Sequence, residues 1–373
     1  MSIGMMMFTY LPVFIILFIL GVCMPNLTRK EIFFGIRIPK DKAKDSQLIN
    51  LKREYVKKYL LICGGFLAIL IVALFYSKNP MIPTIGVFIY IILQSMIYLN
   101  IHKKVKEYKA KSNWNEGKKE VVIVDTSFRN KENKRMLVSK AWFLIPLAII
   151  VLNIIIGFKV YANLPDPMPI HWNGKGIVDR WAPKSYKTIF IMPASQLFMM
   201  IIMYIVYKTI GMAKVQINAS NPVVSREQNR RFRYIWSGYI IFITSVISLI
   251  FTFINFNMLS ILKWTPKQMV IVPMIFTAVL LIVTIVIALM TGQGGSRLNI
   301  KEEENHQNHI DRNDDKHWKL GMFYVNKNDP AIIVEKRFGI GWTINFGNVT
   351  GIVFFVMLIA FIIGYSVITS RLN

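Results

Sequence analysis

The sequence predicts an all-α polytopic membrane protein of about eight transmembrane helices, with a small cytosolic β-element before the last helix. Three observations carry this. Hydrophobic residues make up 54% of the 373 positions and charged residues only 17%, well below the roughly 25% charge of an ordinary soluble domain. Long uncharged runs recur, each close to the roughly 20 residues needed to cross hydrocarbon. Lysine and arginine concentrate in alternate connections, as they do when one set of loops faces the cytoplasm.

The spans fall at about 5–24, 59–76, 81–100, 141–161, 188–210, 235–259, 268–290 and 349–369. In lipid every backbone N–H and C=O has to be satisfied within the segment, so these are helices. The first lacks the basic leader and small-residue cleavage site of a secretory signal and reads as a retained helix. Connections 25–57, 101–140, 211–234 and 291–348 hold 34 basic residues, whereas the opposite set holds eight. The basic loops are therefore expected inside, with both termini and the connection 162–187 outside. A net charge of +25 then reflects anionic lipid heads at the inner leaflet rather than nucleic acid.

Five regions follow: 1–140, an N-terminal membrane region with basic loops; 141–210, two helices and an outer cap; 211–290, further helices; 291–348, a cytosolic linker and β-element; and 349–373, the last helix. The linker GQGGSRLNIKEEENHQNHIDRNDDKH is polar and Gly-rich at its start, which predicts a flexible segment with little to bury. After it, GMFYV and AIIVE are β-prone runs separated by the turn-forming NKNDP, and RFGIGWTINF supplies a third strand. Near the N-terminus, SQLINLKREYVKKYL places Leu48, Leu51, Tyr55 and Tyr59 at helical spacing, an amphipathic basic helix feeding the second span.

The densest local chemistry is YANLPDPMPIHWNGKGIVDRW, residues 161–181. Pro165, Pro167 and Pro169 predict a stiff, polyproline-like approach. Asn173-Gly174 and Lys175-Gly176 predict a tight reversal, since these residues tolerate positive φ. Trp172 and Trp181 flank the turn and suit the headgroup zone. The result is a rigid amphipathic cap, either a ligand-binding surface or an ordered connector. His171 and Asp179 alone make neither a metal site nor a catalytic apparatus, and no cofactor motif occurs. The segment HQNHIDRNDDKH gathers His306, His309, Asp311, Asp314, Asp315 and His317, better explained as a polar linker than as metal ligands. Cys23 and Cys63 lie in or beside apolar spans and read as inert. Asn153, Gln196 and Asn255 within spans read as interhelical hydrogen-bond partners.

Leu164, Pro165, Met168, Pro169, His171, Trp172, Asn173, Gly176, Asp179, Trp181 and Lys184 follow a spacing that resembles a loop module of the sporulation-delaying-toxin immunity (SdpI-like) membrane proteins. FFGIRIPK, with Gly35, Arg37 and Pro39, is similar to a second element of those proteins. NDPAIIVEKRFGIGWTINFGN, with Arg337, Gly339, Gly341 and Asn345, resembles a C-terminal module of uncharacterised Gram-positive relatives. The resemblance implies a non-enzymatic cell-membrane protein for immunity or signal reception. Its partners would be the lipid bilayer, a secreted peptide outside and a cytosolic regulator inside, with no direct contact to nucleic acid. A transporter or transport-accessory protein is the alternative. On residue chemistry alone, Arg37 stands between apolar neighbours and needs a carboxylate, carbonyl or phosphate acceptor.

Overall fold

The computed structural model of the chain describes residues 3–77, 79, 81–112, 114, 119–121, 136–219, 221–300, 309–311 and 313–372. Its long helices are α1 (Ile3–Leu27), α2 (Ser46–Tyr76), α3 (Met81–Lys111), α4 (Leu144–Val160), α5 (Tyr186–Met212), α6 (Pro222–Met258), α7 (Pro266–Thr291) and α8 (Val349–Leu372). The first seven lie in segments long and apolar enough to cross a membrane, and α8 is a further apolar helix. The chain is a multi-pass α-helical membrane protein. Short strands complete it: β1 (Ile32–Phe33), β2 (Ile36–Arg37), β3 (Lys119–Val121), β4 (Met168–Trp172), β5 (Val178–Ala182), β6 (His309–Asp311), β7 (Trp318–Lys319), β8 (Phe323–Tyr324), β9 (Ile333–Glu335) and β10 (Trp342–Ile344).

Helix starts follow local chemistry. Asp45 Oδ1 accepts from the amides of Gln47 and Leu48 and opens α2, while Thr265 and Gln268 form a reciprocal capping box ahead of Pro266 and open α7. The amphipathic stretch from Ser46 is continuous with its span, so α2 begins thirteen residues before the apolar run, and Leu48, Leu51, Tyr55 and Tyr59 face the core as their spacing predicts. Helices α3 and α6 likewise project past the hydrocarbon boundary read from the sequence, to Lys111 and from Pro222.

The helices form two groups. Helices α1, α2 and α3 pack together, as do α4, α5 and α6, and α7 touches both α1 and α6. In the first group, α1 carries Pro25 inside the helix. Pro25 has no N–H for the carbonyl of Gly21, one turn earlier. The Tyr55 hydroxyl donates to that carbonyl at 3.0 Å, so α2 supplies the bond that α1 cannot make. Tyr59 adds a bond to the Leu17 carbonyl at 3.3 Å and meets the Tyr90 hydroxyl at 2.6 Å. Helix α8 lies against α5, with Tyr365 stacked on Phe198 at 3.6 Å and donating to Ser195 Oγ.

Strands β7 to β10 form a compact module at the end of the bundle opposite β4 and β5. It does not pair as the sequence suggested. GMFYV and AIIVE are not partners across NKNDP: β8 pairs with β7, and β9 pairs with β10. The two ribbons touch through a parallel bridge between Tyr324 and Asn345. Asn345 is fully buried and explains the difference. Its amide donates to the carbonyls of Asn326, Asp329 and Ala331, and its Oδ1 accepts from the amides of Asn326 and Gly347. The NKNDP turn is thereby wrapped around one side chain instead of closing a hairpin.

Candidate functional site

The motif 161–184 folds as a hairpin over α4, α5 and α6. Ser185 caps α5 directly behind it. The approach departs from the uniformly extended one expected from three prolines. The chain bends at Asp166-Pro167, whose peptide bond is cis, and Asp166 Oδ1 accepts from the Lys184 amide at 3.1 Å. That bond ties the approach to the exit. Pro165 is exposed, whereas Met168, Pro169 and Ile170 are buried in succession. Strict alternation would forbid three consecutive inward residues, and the register shifts on both sides of His171 allow it. Leu164, Met168 and Ile170 close on Ile189, Met258 and Leu259.

The turn is built by Asn173, whose Oδ1 accepts from the amides of Lys175 and Ile177. Only Gly176 of the two predicted glycines takes positive φ, +71°, and a Cβ there would fall 1.9 Å from the Pro266 carbonyl oxygen. The turn therefore rests on the first residue of α7. Trp172 is half-buried against the hairpin core, and Trp181 is 55% exposed. His171 Nδ1 lies 2.5 Å from Asp179 Oδ1 across the ribbon, with both side chains reaching solvent. The outward face thus presents a hydrogen-bonded His171–Asp179 couple, an indole and Arg180 on a fixed platform.

At the other end, FFGIRIPK forms a two-stranded ribbon. Its turn has both central residues at positive φ, Phe34 at 45° and Gly35 at 79°. Phenylalanine is a poor turn residue. It holds this conformation because its ring is buried beside Tyr55 and Tyr98 and its carbonyl is bonded to His102 Nδ1 at 2.7 Å. A Cβ on Gly35 would strike Gly321 Cα at 2.5 Å. Pro39 precedes the short helical turn that leads to α2.

The arginine acceptors come from the segment read as a flexible linker, which is a correction. Arg37 Nε donates to Asp314 Oδ1 at 3.0 Å, and its amide donates to Asp315 Oδ1. Arg337, 1% exposed, reaches both carboxylates and the Gly35 carbonyl, stacks over Trp318, and shares Asp315 with Lys109 of α3. Burial alone would raise both carboxyls. Arg337 and Arg37 at Asp314, and Arg337 and Lys109 at Asp315, outweigh it and hold both below the ordinary value of 3.8. The Gly-rich start of the linker is also ordered. Gln293 exchanges two bonds with the Gly341 backbone, and Gly292, Gly294 and Gly295 take positive φ. Gly339, at φ +86°, approaches Met24 of α1. His306 lies outside the described residues, as do the side chains of His309 and Asp311. Among the described residues no group of His, Cys, Asp or Glu is arranged for a metal.

A second cluster, absent from the sequence reading, sits beside the first. Glu335 accepts from Arg29 at 2.5 Å and from Asn229 of α6. Asn229 in turn accepts from Arg233 Nε, and Arg233 caps the end of α5 through the Ile210 and Ala213 carbonyls. Lys214 holds Asp329 at 2.7 Å. The module is therefore bonded on one side to the β1–β2 ribbon and α3, and on the other to α6 and the segment that follows α5.

Within the membrane, Asn153, Gln196 and Asn255 bond between helices, as their positions suggest. Asn153 donates to Thr252 at 2.7 Å, Asn255 donates to Asn153 at 2.9 Å, and Gln196 donates to the Ser248 carbonyl at 2.8 Å.

Residues 148–197 match DUF1648, a domain of unknown function, and residues 327–352 match DUF5808, a family of unknown function. The first takes in most of α4, the hairpin and the start of α5; the second takes in β9, β10 and the loop around Asn345. No curated protein and no solved structure matches the chain.

Arg337→Met leaves Asp314 and Asp315 without their main cation. It should destabilise module docking by about 3–5 kcal/mol, measured as a lower thermal midpoint and faster amide exchange over 313–345. Because both carboxyl pKa values are depressed on folding, their contribution is fully present above the ordinary aspartate value and is lost as pH falls through the folded values. The unsubstituted module should stay docked from neutral pH to near pH 4 and release below 3.8, in amide exchange followed against pH. Gly176→Ala, at positive φ and against Pro266, should cost about 2 kcal/mol or more, read as faster exchange at the Ile177 amide.

Proposed function

We propose that the protein is a non-enzymatic receptor of the cell membrane, in which the 161–184 hairpin recognises a secreted peptide or envelope component. The single observation that carries this reading is the hairpin's two-sided construction. One face is locked onto α4–α6 by Leu164, Met168 and Ile170, while His171, Asp179, Arg180 and Trp181 stand outward without serving the fold's interior. Aromatic and arginine side chains on a rigid base are the chemistry of recognition surfaces.

The orientation belongs to the same proposal. The distribution of lysine and arginine puts the hairpin outside and the module inside. The likeness of the hairpin and of FFGIRIPK to the SdpI-like immunity proteins supports immunity or signal reception as the biological setting. A cytosolic regulator would then meet the module face.

A transport or transport-accessory role is the second reading, favoured by the amide cluster between α4, α5 and α6. Flux through reconstituted protein separates it from reception.

Asp179→Ala and His171→Ala should each alter sensitivity of cells expressing the chain to a panel of secreted antimicrobial peptides. Protein levels are monitored alongside, and the expected effect is about tenfold in inhibitory concentration, as for loss of one recognition contact of about 1–2 kcal/mol. Unaltered sensitivity in both variants, with sensitivity dependent on the unsubstituted chain, would remove the hairpin from recognition.

A further inference from the structure

The β7–β8 turn of the module shares a backbone feature with the β1–β2 turn. Leu320 takes φ +54° and Gly321 φ +69°, with the Met322 amide bonded to the Lys319 carbonyl at 3.1 Å. Two successive residues at positive φ favour Asn, Asp or Gly at the first, and a leucine there is strained. Phe34 carries the same strain with its ring buried, whereas Leu320 carries it while 52% exposed. Strain and an uncovered apolar side chain at one position point to a contact outside the chain.

Two helices set the depth of this turn. A Cβ on Gly321 would lie 2.7 Å from the Tyr98 hydroxyl and 2.8 Å from the His102 ring, and Met322 packs against the core of α1–α3. Tyr98 belongs to the apolar run 81–100. Side chains on a helix lean toward its N-terminus, here back into the span. On the other flank, Phe323 meets Phe346 edge-on at 5.9 Å, and α8 begins just after it at Val349. Phe323 is 45% exposed and Val349 74%. Leu320 and Phe323 thus stand at the height where α3 leaves the hydrocarbon and α8 enters it. Phe323 pairs with Lys319 across the ribbon, while Trp318 and Tyr324 are buried. The exposed face therefore sets apolar groups beside the exposed Lys316 and Lys319. That is the composition of an interfacial anchor, in which lysine stems lie along lipid and their ammonium groups reach the headgroups.

We infer that the β7–β8 turn anchors the module to the bilayer: Leu320 and Phe323 enter the acyl boundary of the adjoining leaflet, and Lys316 and Lys319 meet its headgroups. The occupant of this face is lipid, continuous with the lipid around α3 and α8. The inference holds for either orientation of the chain and does not depend on what the 161–184 hairpin recognises.

The experiment uses the full chain, freed of Cys23 and Cys63, at one copy per lipid nanodisc. Nitroxides are placed singly at Leu320→Cys and Phe323→Cys. On α3, Met96→Cys, whose parent is 63% exposed within the apolar run, gives the lipid reference, and Glu107→Cys, exposed beyond that run, gives the water reference. The readout is collisional accessibility to oxygen, which concentrates in lipid, against a nickel chelate, which stays in water. Both module labels should give an oxygen-to-nickel ratio near that at Met96→Cys and severalfold above that at Glu107→Cys. A ratio at the Glu107→Cys level for both overturns the inference. So does shielding of both labels from both reagents, which would mean that protein covers the face. Leu320→Asn separates anchoring from turn geometry. Asparagine suits the turn better, so a turn facing water would tighten, and exchange of the Met322 amide would slow. An anchored turn loses an apolar contact with lipid, and exchange there should rise about tenfold. Slower or unchanged exchange overturns the inference.

Discussion

Glu335 and Arg337 stand two residues apart at the end of one short strand: Glu335 is neutralised from the bundle, and Arg337 by two carboxylates just ahead of β7 that Arg37 and Lys109 tie to the β1–β2 ribbon and α3. Arg337 is held by Asp314, Asp315 and the Gly35 carbonyl beside α2 and α3. Glu335 is held by Arg29 and, through Asn229, by α6. Both side chains are 1% exposed. Burying an ion pair gains little net stability, because desolvation consumes most of the attraction, but removing one partner is expensive. The pairs therefore act chiefly as specificity. They admit one docking position of the module and penalise any other, and that position holds the two helical groups together from one side.

The same logic runs toward the hairpin. Arg233 of α6 carries the module's contact into the bundle by capping α5. Farther along α6, Ser248, Thr252 and Asn255 join α4 and α5, and Met258 and Leu259 end under the hairpin. One helix thus touches the buried charges, the amide cluster and the hairpin floor. The hairpin is pinned independently by Gly176 on Pro266 and by Asp166 on the Lys184 amide. An outward surface with these supports is rigid on its base.

Much of this was legible. Hydrophobic runs set the helices, because in lipid the backbone has no other solution. Leu48, Leu51, Tyr55 and Tyr59 declared their face by spacing, and the requirement of Arg37 for an acceptor followed from its neighbours. The acceptors' identity did not follow. Asp314 and Asp315 lie more than 270 residues away in a polar segment whose composition matches disorder, and composition is blind to a buried partner. Asn345 was visible as a motif position, but five backbone bonds to one amide leave no periodic trace. The charged cluster had a signal that periodicity could have exposed: Ser225, Asn229, Arg233 and Ser237 recur every fourth residue on α6, a polar stripe that continues through Thr244, Ser248 and Asn255. The bulged register of the hairpin, which turns three consecutive residues inward, breaks the two-residue rule on which strand reading rests.

The claim that the module fixes the two helical groups relative to one another is tested most directly by electron-spin distance measurement. The labels sit at exposed Lys103 of α3 and Lys208 of α5, in the full chain freed of Cys23 and Cys63 and held in nanodiscs. The unsubstituted chain should give one narrow distance distribution, and Glu335→Gln combined with Arg337→Met should broaden or shift it. A distribution equally narrow and centred at the same distance in the doubly substituted chain would contradict the account.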